Sequence, residues 1–546
     1  MKIDRDFVES YRNRTVPWGF GALSYITYKR TYARQLDNGK LEEWVDTLER
    51  VLNGANDIGA KYTQEEMQRL FDHMFNLRCI YAGRYLWQLG TDTVKKLGGA
   101  SLNNCYFTTI KKYEDFCFIM EVLMLGSGIG YSVRKQDINE LPKVKKNVTI
   151  IHDKRNDTDF VVPDSREGWV LLLRLVLKAF LVTGKSLSYS TILVRNAGEP
   201  IKGFGGTASG SSILIEGIDK ITKILQSREG KKLRSVDVLD ICNIIGSIVV
   251  AGNVRRSAQV ALGDSDDYLY LRAKDWHSGT IPNWRAFSNN SIYADSYEYL
   301  SSDFWKTYEQ TGEPLGLFNL ELAQQQGRLG EYIDDSNAEG SNPCMEVTLE
   351  SKEACNLSEI ALNNVESLEQ MKDIARLLYK TQKACAGMYY HLEETQKITR
   401  KNMRLGMSVT GITQSLDKLK WLDPVYNDLR AYDKEWSKGR GWFESIKLTS
   451  IKPSGTVSLL TGSTPGIHPA YAEYYIRRVR IASDHPVVRY ATSHGYPIEF
   501  VRRFDGTEDF TTSIIEFPCK VEKALYADDM TAIQQLELVK QIQTLW

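Results

Sequence analysis

Asn342-Pro343-Cys344-Met345-Glu346 places an amide, a thiol and a carboxylate within five residues, and a second thiol, Cys355, follows nine residues after Glu346. A thiol with a carboxylate acid or base beside it is a constellation that can do chemistry. Pro343 disfavours helix at Asn342 and points to a turn or loop, and a tight loop can present neighbouring side chains together. A buried cysteine that merely follows a proline accounts for the thiol and for nothing else in the stretch.

Cys105, within Ser101-Leu102-Asn103-Asn104-Cys105-Tyr106-Phe107, stands where a strand should begin. Alone it reads as a core cysteine. Paired in space with Cys355 it would be a redox dithiol, and sequence spacing does not choose between the two. Lys452-Pro453-Ser454-Gly455-Thr456-Val457-Ser458 follows an apolar run and precedes Leu459-Leu460, so it reads as a turn opening a helix. Backbone N–H groups and hydroxyls there would suit a phosphate; an ordinary helix cap explains the same residues. Two phosphate-loop lookalikes carry less. Thr183-Gly184-Lys185-Ser186 lacks the earlier glycine, because position 179 is Ala, and Gly126-Ser127-Gly128-Ile129-Gly130 follows a helix-like segment rather than a strand.

The elements that must position these groups form a mixed pattern. Leu41, Trp44, Leu48 and Val51 recur at helical spacing with Gly54 as a stop, and Thr63 with Glu66 forms a capping box ahead of Met67, Leu70, Phe71 and Met74. Beyond about residue 85, short β-branched runs alternate with amphipathic helices near 113–125, 166–182, 213–227, 235–251 and 366–390, which argues α/β with a substantial sheet. Asp164 and Glu167 form a capping-box-like start to one of these helices, with Gly184 as its stop. The glycine-rich run at 203–210 is costly to order and can approach a ligand closely.

Bulk properties narrow the class. At 546 residues the chain calls for a large central domain with appended or inserted parts. Lys+Arg and Asp+Glu are equal at 69 each, so no global field draws it to nucleic acid or membrane. The N-terminus is charged throughout, and the most apolar run, 169–182, is interrupted by Arg174 and Lys178, so a cytoplasmic protein is expected. Its eight cysteines are scattered without a C-x-x-C pair, which suits free thiols, and no Cys/His cluster has metal-ligand spacing.

Taken in order, Asn103-Asn104-Cys105, the helix into Gly126–Gly130, Gly252-Asn253-Val254-Arg255-Arg256, Ser288-Asn289-Asn290-Ser291, the Asn-Pro-Cys-x-Glu loop with Cys355, the Pro-Ser-Gly-Thr-x-Ser turn and Pro465-Gly466-Ile467-His468-Pro469 resemble a ribonucleotide reductase catalytic subunit. Pro17-Trp18-Gly19-Phe20-Gly21 and Tyr28-Lys29-Arg30-Thr31-Tyr32-Ala33-Arg34 are similar to the monomeric, adenosylcobalamin-dependent class II enzymes acting on ribonucleoside triphosphates. The resemblance implies a ten-stranded α/β barrel of the ribonucleotide reductase/glycyl radical type. The implied layout is a helical region at 1–85, a catalytic barrel at 86–546 and an inserted effector-binding segment at 134–200.

The resemblance also implies roles. Removal of an unactivated ribose 2′-OH needs a radical, which the cofactor supplies. Cys344 would become the thiyl radical, Glu346 would take the 3′-OH proton and Asn342 would hydrogen-bond the substrate hydroxyls. Cys105 and Cys355 would supply the reducing equivalents and end as a disulfide, restored by a thioredoxin-like or other dithiol reductant. Ser101, Pro453, Ser454, Gly455, Thr456 and Ser458 would hold substrate phosphates. A deoxynucleotide effector would bind near Asp164 and Ser165, the loop with Lys202 and the segment with Arg285. The family's last barrel strands and C-terminal cysteine pair have no counterpart before Trp546, so an incomplete barrel and a second polypeptide completing it are expected. Two other readings stay open: a class I large subunit served by a separate radical-generating metallosubunit, and an inactive nucleotide-binding regulatory remnant.

Overall fold

The computed structural model describes residues 1–199, 208–250, 258–314, 316–502 and 506–546. Helix Gln64–Phe75 starts at the expected capping box: Thr63 accepts from the Glu66 N–H at 3.2 Å and the Glu66 carboxylate accepts from the Thr63 N–H at 2.9 Å. Its apolar stripe of Met67, Leu70, Phe71 and Met74 is buried beside that of helix Trp44–Asp57. Gly54 does not stop the latter helix. A Cβ there would lie 2.2 Å from the Gly90 nitrogen, so this glycine serves close backbone approach rather than termination.

Nine short strands surround the Asn342–Glu346 loop: β1 (Cys105–Thr109), β2 (Gly128–Ser132), β3 (Gln259–Asp264), β4 (Ser288–Tyr293), β5 (Gly316–Phe318), β6 (Ala354–Cys355), β7 (Leu357–Ala361), β8 (Gly406–Thr410) and β9 (Thr449–Ser450). One sheet runs β6-β1-β2-β3-β4-β5, with β1 to β5 parallel and β6 antiparallel to β1. The other runs from strand Cys79–Tyr81 through β7 to β8 and β9, the last three parallel. Asn356 alone separates β6 from β7, so one extended segment passes from the first sheet into the second. Its side chain accepts from the Tyr85 hydroxyl at 2.6 Å and donates to the Gln382 carbonyl at 2.8 Å, which satisfies the junction. The wall is open: β5 and β9 remain sheet edges among the described residues, and helix Ala532–Leu545 with Trp546 lies at this seam. The α/β architecture with a helical N-terminal region is as expected, with the barrel incomplete.

Period-two alternation sorts the strand side chains into layers. Tyr106, Ile129, Tyr131 and Ala261 face helices Tyr113–Met124 and Ser235–Val250, in a core that includes Phe116, Met120, Ile241 and Ile245. Cys105, Phe107, Leu262, Phe318 and Leu357 belong to the other core, around the interior of the wall. A hairpin of Gly340–Ser341 paired with Thr348–Leu349 enters that interior and carries the Asn342–Glu346 loop at its tip.

The glycines of the Gly126–Gly130 run now have a physical reason. Gly128 and Gly130 lie on β2 facing the hairpin, where a Cβ at Gly130 would stand 1.9 Å from the Ser341 carbonyl oxygen and one at Gly128 would stand 3.0 Å from Pro343. Residues 134–199 and 208–225 lie outside the wall and include strands Ile150–His152, Phe160–Val161 and Leu187–Ser190 with helix Arg166–Lys178. The cap of that helix is Ser165, which accepts from the Gly168 N–H at 3.0 Å; Asp164 instead pairs with Arg195 at 2.7 Å. No helix among the described residues is long and apolar enough to cross a membrane.

Candidate active site

The loop is a tight turn made from its own residues. The Met345 N–H donates to the Asn342 carbonyl at 2.9 Å, and the Val347 N–H donates to the Asn342 side-chain oxygen at 3.0 Å. Met345 takes a positive φ of 61°, a region a non-glycine residue occupies only when its surroundings hold it there. The Ser450 hydroxyl, on β9, donates to the Glu346 carbonyl at 2.6 Å and ties the tip to the opposite sheet.

Register settles the thiol pairing that spacing left open. Cys105 and Cys355 are direct cross-strand partners on β1 and β6. Cross-strand neighbours have Cβ atoms about 4.5–5.5 Å apart, close to the separation a disulfide needs after small adjustment. Both thiols are free here, and the Asn342 amide reaches the Cys355 sulfur at 3.8 Å. Cys344, at the exposed tip, faces a cavity of about 530 Å³ between β5, β9, the hairpin and helix Ala532–Leu545. Cys105, Cys344, Cys355, Asn342 and Glu346 therefore converge from three separate stretches of chain.

Burial sets the electrostatics. Desolvation pushes the Cys344 thiol up to about 11, helped by the Glu346 carboxylate and opposed by Lys452. Cys105 and Cys355 are raised further, first by burial and then by Glu346, so all three begin as protonated thiols at neutral pH. Burial also raises Glu346, against hydrogen bonds from its backbone and Asn342 and the charge of Lys452. One Glu346 oxygen is shielded from solvent and has no partner among the described residues.

The other expected residues divide. In the phosphate turn, Ser454 accepts from the Ser458 N–H at 3.0 Å and Ser458 donates back to the Ser454 carbonyl, opening the short helix Val457–Thr461. A Cβ at Gly455 would meet nothing within 4 Å, so open space lies in front of the turn, beside Pro453 and Thr456. Ser101 is buried and donates to the Gly98 carbonyl at 2.7 Å. Arg285 closes a bidentate ion pair on Asp240 at 2.7 and 2.8 Å, whereas Asp164 and Ser165 stand at the start of helix Arg166–Lys178. Lys202 and Gly252–Arg256 lie outside the described residues. Trp18-Gly19 of the N-terminal motif packs on the phosphate turn's helix: the Gly19 N–H donates to the Leu460 carbonyl at 3.1 Å, and a Cβ at Gly19 would stand 2.0 Å from the Gly462 nitrogen.

Sequence reasoning missed Glu359. It lies fully buried on β7 and accepts from the Lys452 ammonium at 2.5 Å, next to the site. The available signal was a carboxylate inside the apolar strand Leu357-Ser358-Glu359-Ile360-Ala361, where ionisable groups are rarely buried without a purpose.

The chain is similar to known proteins along its length. Residues 3–91, 134–225 and 296–435 match family models described as the ribonucleotide reductase alpha domain, the B12-dependent ribonucleotide reductase insertion domain and the ribonucleotide reductase barrel domain. The chain is 34% identical to a probable adenosylcobalamin-dependent ribonucleoside-triphosphate reductase of Dictyostelium discoideum, over 100% of this chain and 76% of the relative. Similar figures hold for the adenosylcobalamin-dependent ribonucleoside-triphosphate reductases of Euglena gracilis, at 34% and 77% of the relative, and Lactobacillus leichmannii, at 31% and 86%. A crystal structure of a B12-dependent (class II) ribonucleotide reductase superposes with a TM-score of 0.88 at 28% identity, covering 100% of this chain and 88% of that one. The chain belongs to the ribonucleotide reductase family, in its adenosylcobalamin-dependent class II branch.

Proposed function

We propose that this chain reduces ribonucleoside triphosphates to 2′-deoxyribonucleotides with Cys344 as the hydrogen-abstracting thiyl radical and adenosylcobalamin as the radical source. The observation that carries the reading is the convergence of Cys344 and Glu346 on a cross-strand Cys105–Cys355 pair. When bound, the cofactor supplies a carbon-centred radical by homolysis of its cobalt–carbon bond. The cavity at Cys344 suits the organic end of such a group: its size is that of a small-molecule pocket, and Leu317, Phe318, Ile542 and Trp546 line it.

Cys344 would give its S–H hydrogen atom to the carbon radical that the cofactor supplies, and its thiyl sulfur would take the substrate 3′-hydrogen. Glu346 accepts the 3′-OH proton on its unpartnered oxygen. Cys105 and Cys355 together give two electrons and two protons: one proton leaves with the 2′-OH as water, the other ends on C2′, a sulfur–sulfur bond forms, Glu346 returns its proton to the 3′-oxygen, and Cys344 returns hydrogen to C3′. An external dithiol then reduces the disulfide. The Asn342 amide N–H groups are the part of that side chain directed at the thiols, because its oxygen is held by Val347. Substrate phosphates would meet the backbone N–H groups of Gly455 and Thr456, since the Ser454 and Ser458 hydroxyls bond within the turn. The segment at 134–200, with Asp164 and Ser165, would take a deoxynucleotide effector. Further strands closing the seam between β5 and β9 would come from a continuing segment or from a second polypeptide.

Anaerobic rapid mixing with adenosylcobalamin, a ribonucleoside triphosphate and effector, followed by electron paramagnetic resonance, tests the reading. A cobalt(II) signal coupled to a sulfur radical, lost in Cys344→Ser, is expected. Turnover by Cys344→Ser at the wild-type rate would overturn it.

A further inference from the structure

Two charged groups at this site, Lys452 and Glu359, take no part in the hydrogen-atom and thiol steps. Glu359 is fully buried; one of its oxygens accepts from the Lys452 ammonium, and the other has no partner among the described residues. Lys452 is fixed along its backbone as well. Its N–H donates to the Ser408 hydroxyl on β8 at 2.8 Å, and its carbonyl lies against Gly466, where a Cβ would stand 2.5 Å away. Two residues earlier, Ser450 holds the Glu346 carbonyl. The segment 450–452 thus sets one cation on the buried Glu359 carboxylate and, two residues away, a hydroxyl on the Glu346 backbone, and the Lys452 charge reaches the Glu346 carboxylate without a direct contact.

The groups facing Glu346 are Lys452 from this segment, Glu359 from β7, Cys344 on its own hairpin, Cys105 on β1 and Cys355 on β6, with Tyr32 beside Glu359. Burial opposes the charge on Lys452, but Glu359, Glu346 and Cys105 outweigh it and the ammonium is held above its ordinary value. Two carboxylates sharing a buried site without a cation cannot both stay ionised.

We propose that Lys452, clamped to Glu359, is a positioning residue that holds a fixed positive charge against which Glu346 stays ionised with one oxygen open to substrate. The inference rests on the reading of Glu346 as the base. It makes the two partners oppose each other. In Lys452→Met, Glu346 faces Glu359 with no cation and takes up its proton at higher pH. In Glu359→Gln, the Lys452 charge acts on Glu346 alone, and Glu346 stays ionised to lower pH.

The test is an infrared pH titration of the cofactor-free full chain, following the protonated-carboxyl band that disappears in Glu346→Gln. Lys452→Met should raise that midpoint by about one pH unit or more, Glu359→Gln should lower it, and Lys452→Arg should leave it near wild type. The acidic limb of kcat against pH in the holoenzyme should move the same way. Midpoints that stay put in both variants, or shift in the same direction, overturn the proposal; a merely structural ion pair would give that result. Should Lys452→Met not fold, a Glu359→Gln midpoint that fails to fall overturns it by itself. Absence of any acidic limb sensitive to Glu346→Gln in the wild type would instead sink the base assignment. A limb that vanishes in Glu346→Gln but ignores both partners would sink only the role of Lys452.

Discussion

The hairpin that delivers Cys344 is gripped by a charged cluster at each end, and the two clusters are built differently. At its base the fully buried Arg404 holds Asp335 at 2.6 and 2.8 Å and Glu353 at 3.0 Å. Lys447 completes that cluster, 3.1 Å from Asp335 and 2.8 Å from the Thr348 hydroxyl on the hairpin itself. At the tip, Lys452 holds Glu359, while one oxygen of Glu359 and one of Glu346 are buried without partners among the described residues. Buried polar atoms are nearly always paired, and leaving one unpaired costs about 1–3 kcal/mol. The base cluster spends its charges on holding the hairpin in place. The tip keeps acceptor capacity in reserve, which is what a site awaiting substrate hydroxyls requires.

Substitutions can break this contrast. The largest effect belongs to the tip: Cys344→Ser should abolish turnover while equilibrium nucleotide binding and the melting temperature stay at wild type. Glu346→Gln should lower kcat by about 10²–10⁴, with the melting temperature unchanged or higher, because it removes a charge that burial disfavours. At the base the order reverses. Arg404→Ala leaves Asp335 and Glu353 buried without their partner and should cost about 3–5 kcal/mol in a denaturant titration. A tip variant that lost stability on that scale, or an Arg404 variant that melted normally, would erase the distinction.

The glycine contact between the two ends gives a mixed result. A methyl group at position 130 collides with the Ser341 carbonyl, so Gly130→Ala should cost about 1–3 kcal/mol and also lower kcat by displacing the loop. The smallest effect is a pH slope at the base. Burial pulls Lys447 from 10.5 down to about 8, with Arg404 adding to the shift and Asp335 opposing it. The unfolded state then binds more protons between about pH 8 and 10.5, so stability should rise with pH across that window. Urea titrations of Lys447→Met should show a flatter profile over the same range.

What the sequence disclosed follows from the range of each interaction. The Asn342–Glu346 loop was legible because its chemistry is contained in five neighbouring residues and a proline marks the turn. The capping box at Thr63 and Glu66 was equally local. The Cys105–Cys355 pair was legible only through the family resemblance, because strand register fixes it across some 250 residues and spacing carries no register. Gly128 and Gly130 looked like a weak phosphate loop, while their reason is the hairpin pressed against β2. Ser165 rather than Asp164 caps its helix, since Asp164 is drawn to Arg195 from a distant segment. Lys452 was visible only as the first residue of a turn, and its partner Glu359 emerges once β7 and β9 flank the same interior.

The most direct test of the central claim is a single turnover by the pre-reduced enzyme with cofactor, substrate and effector but no external dithiol, followed by alkylation and peptide mapping. One equivalent of deoxynucleotide should form per active site, with Cys105 and Cys355 recovered as a disulfide and Cys344 still alkylated. Product formed with Cys105 and Cys355 both free, or with Cys344 in the disulfide, would contradict it.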